Sequence, residues 1–304
     1  MKPIETVHIV GMGALGMLYG SLIARTLGSG CVRFVMDDDR YARHIGKTHR
    51  VNGEEVELPL LKASHATPCD LVIVAVKGPA LEAALDTMAN SVGEDTTVIS
   101  VLNGISSEEI IAARYGAHRV VHTVAIGMDA MHFGDDLQYT KEGHLCLGVL
   151  DSAVQPHLDR LTAFFDRAGV AYVVEDIRRR MWSKFMVNVG INQVCMVYST
   201  GYGGAMEEGS EARMTLIGAM REVILLANAH GVALNDSDMQ EYMTIFSAFP
   251  YDATPSMGQD RINRRRSEVE MFAGTVRRLA KEKGILVPAN DFLYRRVYEI
   301  ESQY

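Results

Sequence analysis

The segment Thr6–Gly16, TVHIVGMGALG, decides the fold of this 304-residue chain. A short apolar run that stops at a glycine cluster is typical of a buried parallel strand followed by a tight turn and a helix. The glycines fit the pattern GxGxxG, in which the first permits the turn, the second lets the backbone approach a pyrophosphate, and the third allows close helix–strand packing. The N–H groups at the start of the helix would then bind the phosphates. The stretch predicts a dinucleotide site formed by Gly11, Met12, Gly13, Ala14, Leu15 and Gly16.

The next part of the chain alternates between strand-like and helix-like segments. This alternation predicts an N-terminal, Rossmann-type, doubly wound parallel sheet in an α/β fold. The predicted strands after the first are Cys31–Met36, Leu71–Val76, Thr97–Leu102 and Val120–Ile126, and the predicted helices are Met17–Leu27, a helix following Pro79, and Ser107–Tyr115.

The character of the sequence changes near residue 175. Leu137–Thr140 and His144–Val149 flank a polar turn and predict a β-hairpin, and a helix over 152–168 and a strand over 170–174 complete the first domain. No convincing strand follows Asp176, which is suited to cap a helix. We therefore predict a dinucleotide-binding domain over 1–175 and an all-helical substrate and catalytic domain over 176–304. The predicted helices are 181–198, 211–230, 237–246, 257–283 and 290–302.

Asp37 follows the second predicted strand. A carboxylate at this place can bind the adenosine ribose, which favours NAD(H) and repels the 2′-phosphate of NADP(H). Arg40 lies close enough to reach such a phosphate. The alternative is a solvated acidic turn over 37–39, so the sequence leaves the choice of cofactor open.

A stripe of polar side chains marks the first helix after Asp176. Lys184, Asn188 and Asn192 stand four residues apart and drift by only about 40° per step around a helix. Their neighbours are apolar nearly all round, so we expect a buried helix, in which unpaired amides and an amine are costly. A polar ligand would satisfy them, and burial would lower the pKa of the lysine toward a range suited to proton donation. The alternative is a solvent-facing stripe on a half-buried helix.

Other polar residues stand at strand ends and near the C-terminus. Lys77 and Asn103 follow two predicted strands, whose carboxyl ends are where parallel sheets bind ligands. Ser256 and Glu268 would lie roughly 18 Å apart in one unbroken helix. We therefore predict a loop through Ser256, with a helix starting after it.

The overall composition excludes several classes of protein. A net charge of −8 argues against a nucleic-acid binder, and no apolar run is long enough for a membrane helix. Four dispersed cysteines without a CxxC pair indicate reduced thiols and a cytoplasmic protein. His118 and His122 lack further ligands at metal-binding spacing, so we expect no metal.

Taken together and in order, these segments resemble the 2-dehydropantoate 2-reductase (ketopantoate reductase) family. The resemblance spans nearly the whole chain. It is carried by GMGALG (11–16), VAVKG (74–78), LNG (102–104), WSKFMVNVGIN (182–192), PSMGQD (255–260) and RRRSEVE (264–270).

The resemblance implies reduction of 2-dehydropantoate to (R)-pantoate with NADPH, on the pathway to pantothenate. It implies that Lys184 is the proton donor, and that Asn188, Asn192 and Ser256 hold the hydroxyl and carboxylate groups of the substrate. Asn103 would contact both cofactor and substrate, and Lys77 and Glu268 would contact the cofactor.

One departure from the family bears on the cofactor. Many members have an arginine where Asp37 stands, so Arg40 is the substitute or the chain uses NADH. A closely related branched 2-oxo acid is an alternative substrate. The rival functions are a 3-hydroxyacid or 6-phosphogluconate-type dehydrogenase and a non-catalytic, NADP(H)-binding redox sensor. The sequence leaves a homodimer open.

Overall fold

The computed structural model describes residues 1–304 and divides into two compact units. Unit 1 consists of Met1–Leu102 and Ser107–Ile177. Unit 2 consists of Arg178–Tyr304 together with the short segment Asn103–Ser106, which follows a strand of unit 1 and precedes one of its helices. None of the helices is both long and apolar enough to cross a membrane.

Unit 1 is built on an eight-stranded sheet with the order β12-β11-β8-β7-β6-β1-β2-β5. The six strands from β8 to β5 are parallel, and β11 runs antiparallel to β8. The strands of the unit are β1 (Val7–Val10), β2 (Val32–Met36), β3 (His49–Val51), β4 (Glu54–Val56), β5 (Leu60–Lys62), β6 (Leu71–Val74), β7 (Thr97–Ser100), β8 (Val120–Ile126), β9 (Met131–Phe133), β10 (Asp136–Gln138), β11 (His144–Gly148) and β12 (Tyr172–Val174).

The inner strands β1, β6 and β7 are buried on both faces of this sheet, as their continuous apolar sequences predict. Ile9 and Ile73 belong to a core that includes α1 and α5, whereas Val10 and Val74 belong to a second core that includes α3 and α4. The predicted doubly wound architecture is therefore confirmed. The helices of unit 1 are α1 (Ala14–Leu27), α2 (Asp38–His44), α3 (Leu81–Met88), α4 (Ser107–Tyr115) and α5 (Gln155–Ala168).

The predicted hairpin between residues 137 and 149 is wrong. β10 pairs with β9 and β3 in a separate four-stranded sheet, whereas β11 pairs with β8 and β12. The Asp129 carboxylate accepts hydrogen bonds from the N–H groups of Thr140 and Lys141, both at 2.8 Å. These N–H groups are thereby withdrawn from a hairpin ladder, and the chain leaves one sheet before it enters the other.

Unit 2 contains only helices, as predicted for the region after Asp176. Helix starts are capped in the usual way, for example by Asn235, whose side chain forms a capping box with Asp238. The helices are α6 (Ile177–Val187), α7 (Gln193–Tyr198), α8 (Tyr202–Met206), α9 (Glu211–Ala229), α10 (Asp236–Ser247), α11 (Ser256–Ile262), α12 (Thr275–Lys283) and α13 (Pro288–Glu301).

Two segments of unit 2 are π-helical where an α-helix was predicted. The first π-turn is Asn188–Asn192, and it joins α6 to α7. The second π-turn is Glu270–Gly274, and it leads into α12. The predicted helix over 257–283 is also interrupted between α11 and the second π-turn, because Arg264 adopts a left-handed conformation with a φ of 49°.

Candidate active site

The three glycines of the β1–α1 loop differ in whether the fold requires glycine at that position. Gly11 has a φ of +111°, and a Cβ atom there would lie 2.5 Å from the Ala75 carbonyl oxygen. A Cβ atom on Gly16 would lie 2.0 Å from the Gly11 carbonyl oxygen. Both positions therefore need glycine for the fold itself.

Gly13 has no such structural requirement. A Cβ atom on this residue would meet no other atom within 4 Å, and its φ of −90° suits any residue. Gly13 is also the N-cap of α1, which has no side-chain cap and no acidic residue in its first turn. The loop therefore leaves open space at the positive end of a 14-residue helix, an arrangement that fits a dinucleotide pyrophosphate.

The other predicted cofactor residues of unit 1 stand at the carboxyl ends of strands adjacent to β1. Asp37 follows β2 and caps α2, because its Oδ1 accepts a hydrogen bond from the Arg40 N–H at 2.8 Å. The Arg40 Nε lies 3.6 Å from Asp37 Oδ2. Lys77 follows β6 and is exposed. Arg40, which the sequence suggested for binding a 2′-phosphate, is therefore paired with Asp37, whose carboxylate would repel that phosphate.

In unit 2, the structure brings together three of the predicted substrate residues. Asn188 and Asn192 occupy the two ends of the first π-turn and are 9% and 5% exposed. The Asn192 Nδ2 donates to Asn188 Oδ1 at 3.3 Å, and Ser256 Oγ donates to Asn192 Oδ1 at 2.8 Å. The loop predicted through Ser256 is wrong: Ser256 is the first residue of α11, and the extended residue Pro255 precedes it as the N-cap.

Lys184 lies in the last turn of α6, four residues before Asn188. It is half-buried, whereas the sequence led us to expect full burial. The neighbouring residues Ser183 and Phe185 are buried, so the stem of the lysine leaves the helix between packed side chains. A long side chain in this setting can keep its amine accessible while its methylene groups are covered.

One atom of this cluster lacks a protein partner. The Asn188 Nδ2 is buried and makes no hydrogen bond, although its Oδ1 accepts from Asn192. A buried donor left unsatisfied costs about 1–3 kcal/mol, so native proteins seldom retain one without a reason. A substrate hydroxyl or carboxylate oxygen is the kind of group that would accept from it.

A second pair of predicted residues also meets in unit 2. The Asn103 Nδ2 donates to Glu268 Oε2 at 3.2 Å, although 165 positions separate the two residues in sequence. Glu268 is 6% exposed. Its neighbour Ser267 is fixed by Glu301, whose Oε1 accepts from the Ser267 N–H at 2.8 Å and from its Oγ at 2.6 Å.

Sequence reasoning missed Gln193, which follows Asn192 directly. This glutamine is 0% exposed, and its amide bonds to the main chain of both π-turns. The available signal was a long polar side chain in an otherwise apolar helix. Its partners were not predictable, since one of them lies 80 residues further along the chain.

Cys69 and Cys195 are unsuited to nucleophilic catalysis. No disulfide links them, and burial raises the pKa of Cys69 and of Cys195 to about 12. A thiol with such a pKa is almost entirely protonated at neutral pH and is a poor nucleophile.

Two protein-family models match the chain. The model described as Ketopantoate reductase PanE/ApbA matches residues 7–145, and the model described as Ketopantoate reductase PanE/ApbA C terminal matches residues 176–301. The 2-dehydropantoate 2-reductase of Streptococcus pyogenes serotype M3 is 26% identical over 295 residues, which cover 93% of each chain.

Solved structures share this fold. The 2-dehydropantoate 2-reductase from Geobacter metallireducens GS-15 has a TM-score of 0.83 and 26% identity, covering 97% of this chain and 99% of that one. A D-mandelate dehydrogenase with NADH and anilino(oxo)acetate has a TM-score of 0.86 over 98% of both chains, and at 23% identity it is similar in fold alone. The matched models, relatives and structures together show that the chain belongs to the ketopantoate reductase family of oxidoreductases.

Proposed function

We propose that this chain reduces 2-dehydropantoate, or a closely related branched 2-oxo acid, to (R)-pantoate or the corresponding 2-hydroxy acid, within pantothenate synthesis. The observation that carries the proposal is the buried, unpartnered Asn188 Nδ2, which lies beside Asn192 and Ser256. The names of the relatives support the choice of substrate.

The reaction needs one hydride and one proton. The open space at Gly13 in the Gly11–Gly16 loop fits a nicotinamide dinucleotide, which when bound would supply the hydride for the C2 carbonyl carbon. As the carbonyl oxygen gains negative charge, the Lys184 ammonium stabilises it and transfers its proton, so that the product carries a hydroxyl group.

The amides and the hydroxyl group orient the substrate. Asn188 Nδ2 donates to an oxygen of the oxo acid, and Asn192 is held by Ser256 in one orientation. Because these groups are fixed before the substrate arrives, they lose little conformational entropy on binding. Asn103 and Glu268, which are hydrogen-bonded to each other, are the residues that we assign to cofactor contacts.

A parallel assay tests the proposed function directly. 2-Dehydropantoate and a panel of branched 2-oxo acids are offered with NADPH and with NADH, and oxidation of the cofactor is followed by the loss of the near-ultraviolet absorbance of the reduced nicotinamide. Turnover of 2-dehydropantoate supports the proposal. A second assay offers 3-hydroxy acids with NADP⁺ and NAD⁺. Their oxidation without turnover of any 2-oxo acid would favour the rival dehydrogenase, and dinucleotide binding without any turnover would favour the sensor. The cytoplasmic location and a homodimer stay predictions.

The choice between NADH and NADPH depends on Asp37. Asp37→Asn keeps an N-cap for α2 but removes the charge that repels a 2′-phosphate and holds Arg40. We expect the ratio of kcat/KM with NADPH to that with NADH to rise by about tenfold, which corresponds to about 1.4 kcal/mol. Asp39→Asn is the matched control, because it removes a charge from the first turn of the same helix. An unchanged ratio would show that Asp37 does not face the ribose.

Asn188 provides a test in which stability and binding should separate. Asn188→Leu removes a buried donor that has no protein partner, but it also removes the Oδ1 that accepts from Asn192 Nδ2, so the two effects oppose each other and we expect the melting temperature to change little. The KM for the oxo acid should rise by about tenfold or more, because a hydrogen bond to a charged group is lost. The control variant is Asn228→Leu. The Asn228 side-chain amide donates to the Ile224 and Leu234 carbonyl oxygens, so its loss should not change the KM. A clear fall in melting temperature without a change in KM would contradict the assigned role.

A further inference from the structure

We propose that Gln193 is a positioning residue that fixes the substrate-binding π-turn against the π-turn that follows Glu268. The inference rests on the proposed function for its effect on catalysis. The structural part, a side chain that joins two π-turns, stands on the hydrogen bonds of unit 2 alone.

The first π-turn leaves a main-chain carbonyl for Gln193 to bind. In an α-helix, the N–H of Gln193 would donate to the Val189 carbonyl oxygen four residues earlier. Here the N–H of Gln193 donates to the Gly190 carbonyl instead. The Gln193 side chain replaces this main-chain donor, since its Nε2 donates to the Val189 carbonyl oxygen at 2.7 Å.

The second π-turn leaves a main-chain N–H in the same way. The Glu268 carbonyl accepts from Met271 and Phe272, and the Val269 carbonyl accepts from Phe272 and Gly274. The N–H of Ala273 is passed over by both carbonyls and donates to Gln193 Oε1 at 3.3 Å. The two ends of a single amide thus satisfy one acceptor in the first turn and one donor in the second.

These bonds define the orientation of the amide and the distance between the turns. A carbonyl oxygen requires the nitrogen end of the amide, and an N–H requires the oxygen end, so a flipped amide would lose both bonds. Gln193 is 0% exposed, so water cannot replace either partner. The side chain therefore holds Asn188 and Asn192 in register with the segment that carries Glu268.

The inference predicts a specific kinetic defect. Gln193→Met keeps the length and flexibility of the side chain but makes neither hydrogen bond. We expect kcat/KM for 2-dehydropantoate to fall by about 10-fold to 100-fold, mainly through KM, because small displacements of positioning groups cost this much. Dinucleotide affinity, measured by fluorescence titration without substrate, should fall by less than the rise in KM, since the glycine loop of unit 1 is untouched and Glu268 makes only one of the proposed cofactor contacts.

The control variant removes an equally buried amide elsewhere in unit 2. Asn290 is 0% exposed, and its Nδ2 donates to Ala219 and Glu222 on α9 rather than to a π-turn. Asn290→Leu should therefore lower the melting temperature without raising the KM for the oxo acid. An equal rise in KM in both variants would reduce Gln193 to a general stabilising residue and overturn the proposal.

Hydrogen exchange gives a readout that does not depend on activity. In the unmodified protein the Ala273 amide should exchange slowly, at the rate of helical amides, although neither the Glu268 nor the Val269 carbonyl accepts from it. In Gln193→Met its exchange should become at least about tenfold faster. Fast exchange of Ala273 in the unmodified protein, or an unchanged rate in the variant, would overturn the proposal. If no 2-oxo acid is turned over, the proposed function fails and the exchange data alone decide on Gln193.

Discussion

Lys184→Ala is expected to lower kcat by about 10²-fold to 10⁴-fold, the usual contribution of a positioned general acid. The alkoxide that forms at C2 would then lose both its proton source and the positive charge that stabilises it. Dinucleotide binding should survive, because the glycine loop lies in unit 1 and Lys184 lies in unit 2. Steady-state kinetics with saturating cofactor, together with a fluorescence titration of the dinucleotide, measure both quantities.

Two further variants separate the proton from the charge. Lys184→Arg keeps a positive charge, but a guanidinium, whose pKa lies far above neutral pH, is a poor proton donor under these conditions. We expect kcat to stay low in this variant. Lys281→Ala, which removes an exposed lysine from α12, should leave kcat unchanged. Full activity in Lys184→Ala would remove the assigned role, and full activity in Lys184→Arg would restrict that role to electrostatics.

Gly13→Asp should abolish most dinucleotide binding without harming the fold. The new side chain enters open space, and aspartate is a preferred N-cap for a helix such as α1. The carboxylate would nevertheless stand where the pyrophosphate needs to bind, and like charges at such distances repel by about 1–4 kcal/mol. We expect the dissociation constant to rise by about 100-fold while the melting temperature stays level.

Gly30→Asp is the matched control for this variant. A Cβ atom on Gly30 also meets no atom within 4 Å, but this residue lies in a short 3₁₀ turn outside the proposed site. It should affect neither binding nor stability. Gly11→Ala should behave in the opposite way to Gly13→Asp, because its Cβ atom collides with the Ala75 carbonyl and the protein itself is destabilised. Unchanged dinucleotide affinity in Gly13→Asp would contradict the assignment of the loop.

The sequence was most informative where a single local pattern determines the structure. The run from Thr6 to Gly16 needs only an apolar strand and three glycines, and β1 and α1 form there. The hairpin around Lys141 failed because alternation of apolar residues identifies a strand but not its partner. The partners of β10 and β11 are set by contacts made elsewhere in the two sheets.

The candidate site was predictable in its residue types and less so in its geometry. Lys184, Asn188 and Asn192 stood out as polar residues in an apolar helix. The π-turn that separates them from α7 was not predictable, since a change from four-residue to five-residue hydrogen bonding leaves no mark in composition. The bond between Asn103 and Glu268, like that between Ser256 and Asn192, joins residues far apart in sequence and requires the folded chain.

Unit 2 is built from two separate segments of the chain, which affects how the protein can be divided into fragments. Asn103–Ser106 packs with unit 2 through Ile105 and the Asn103–Glu268 hydrogen bond, yet the chain enters it from β7 and leaves it into α4. A fragment that starts at Arg178 would lack these four residues. It would therefore lose the Ile105 side chain that packs against its core and the Asn103 amide that donates to Glu268. Residues 178–304 are therefore not a self-contained domain. Chimaeras between members of the family need to exchange Asn103–Ser106 together with the C-terminal sequence.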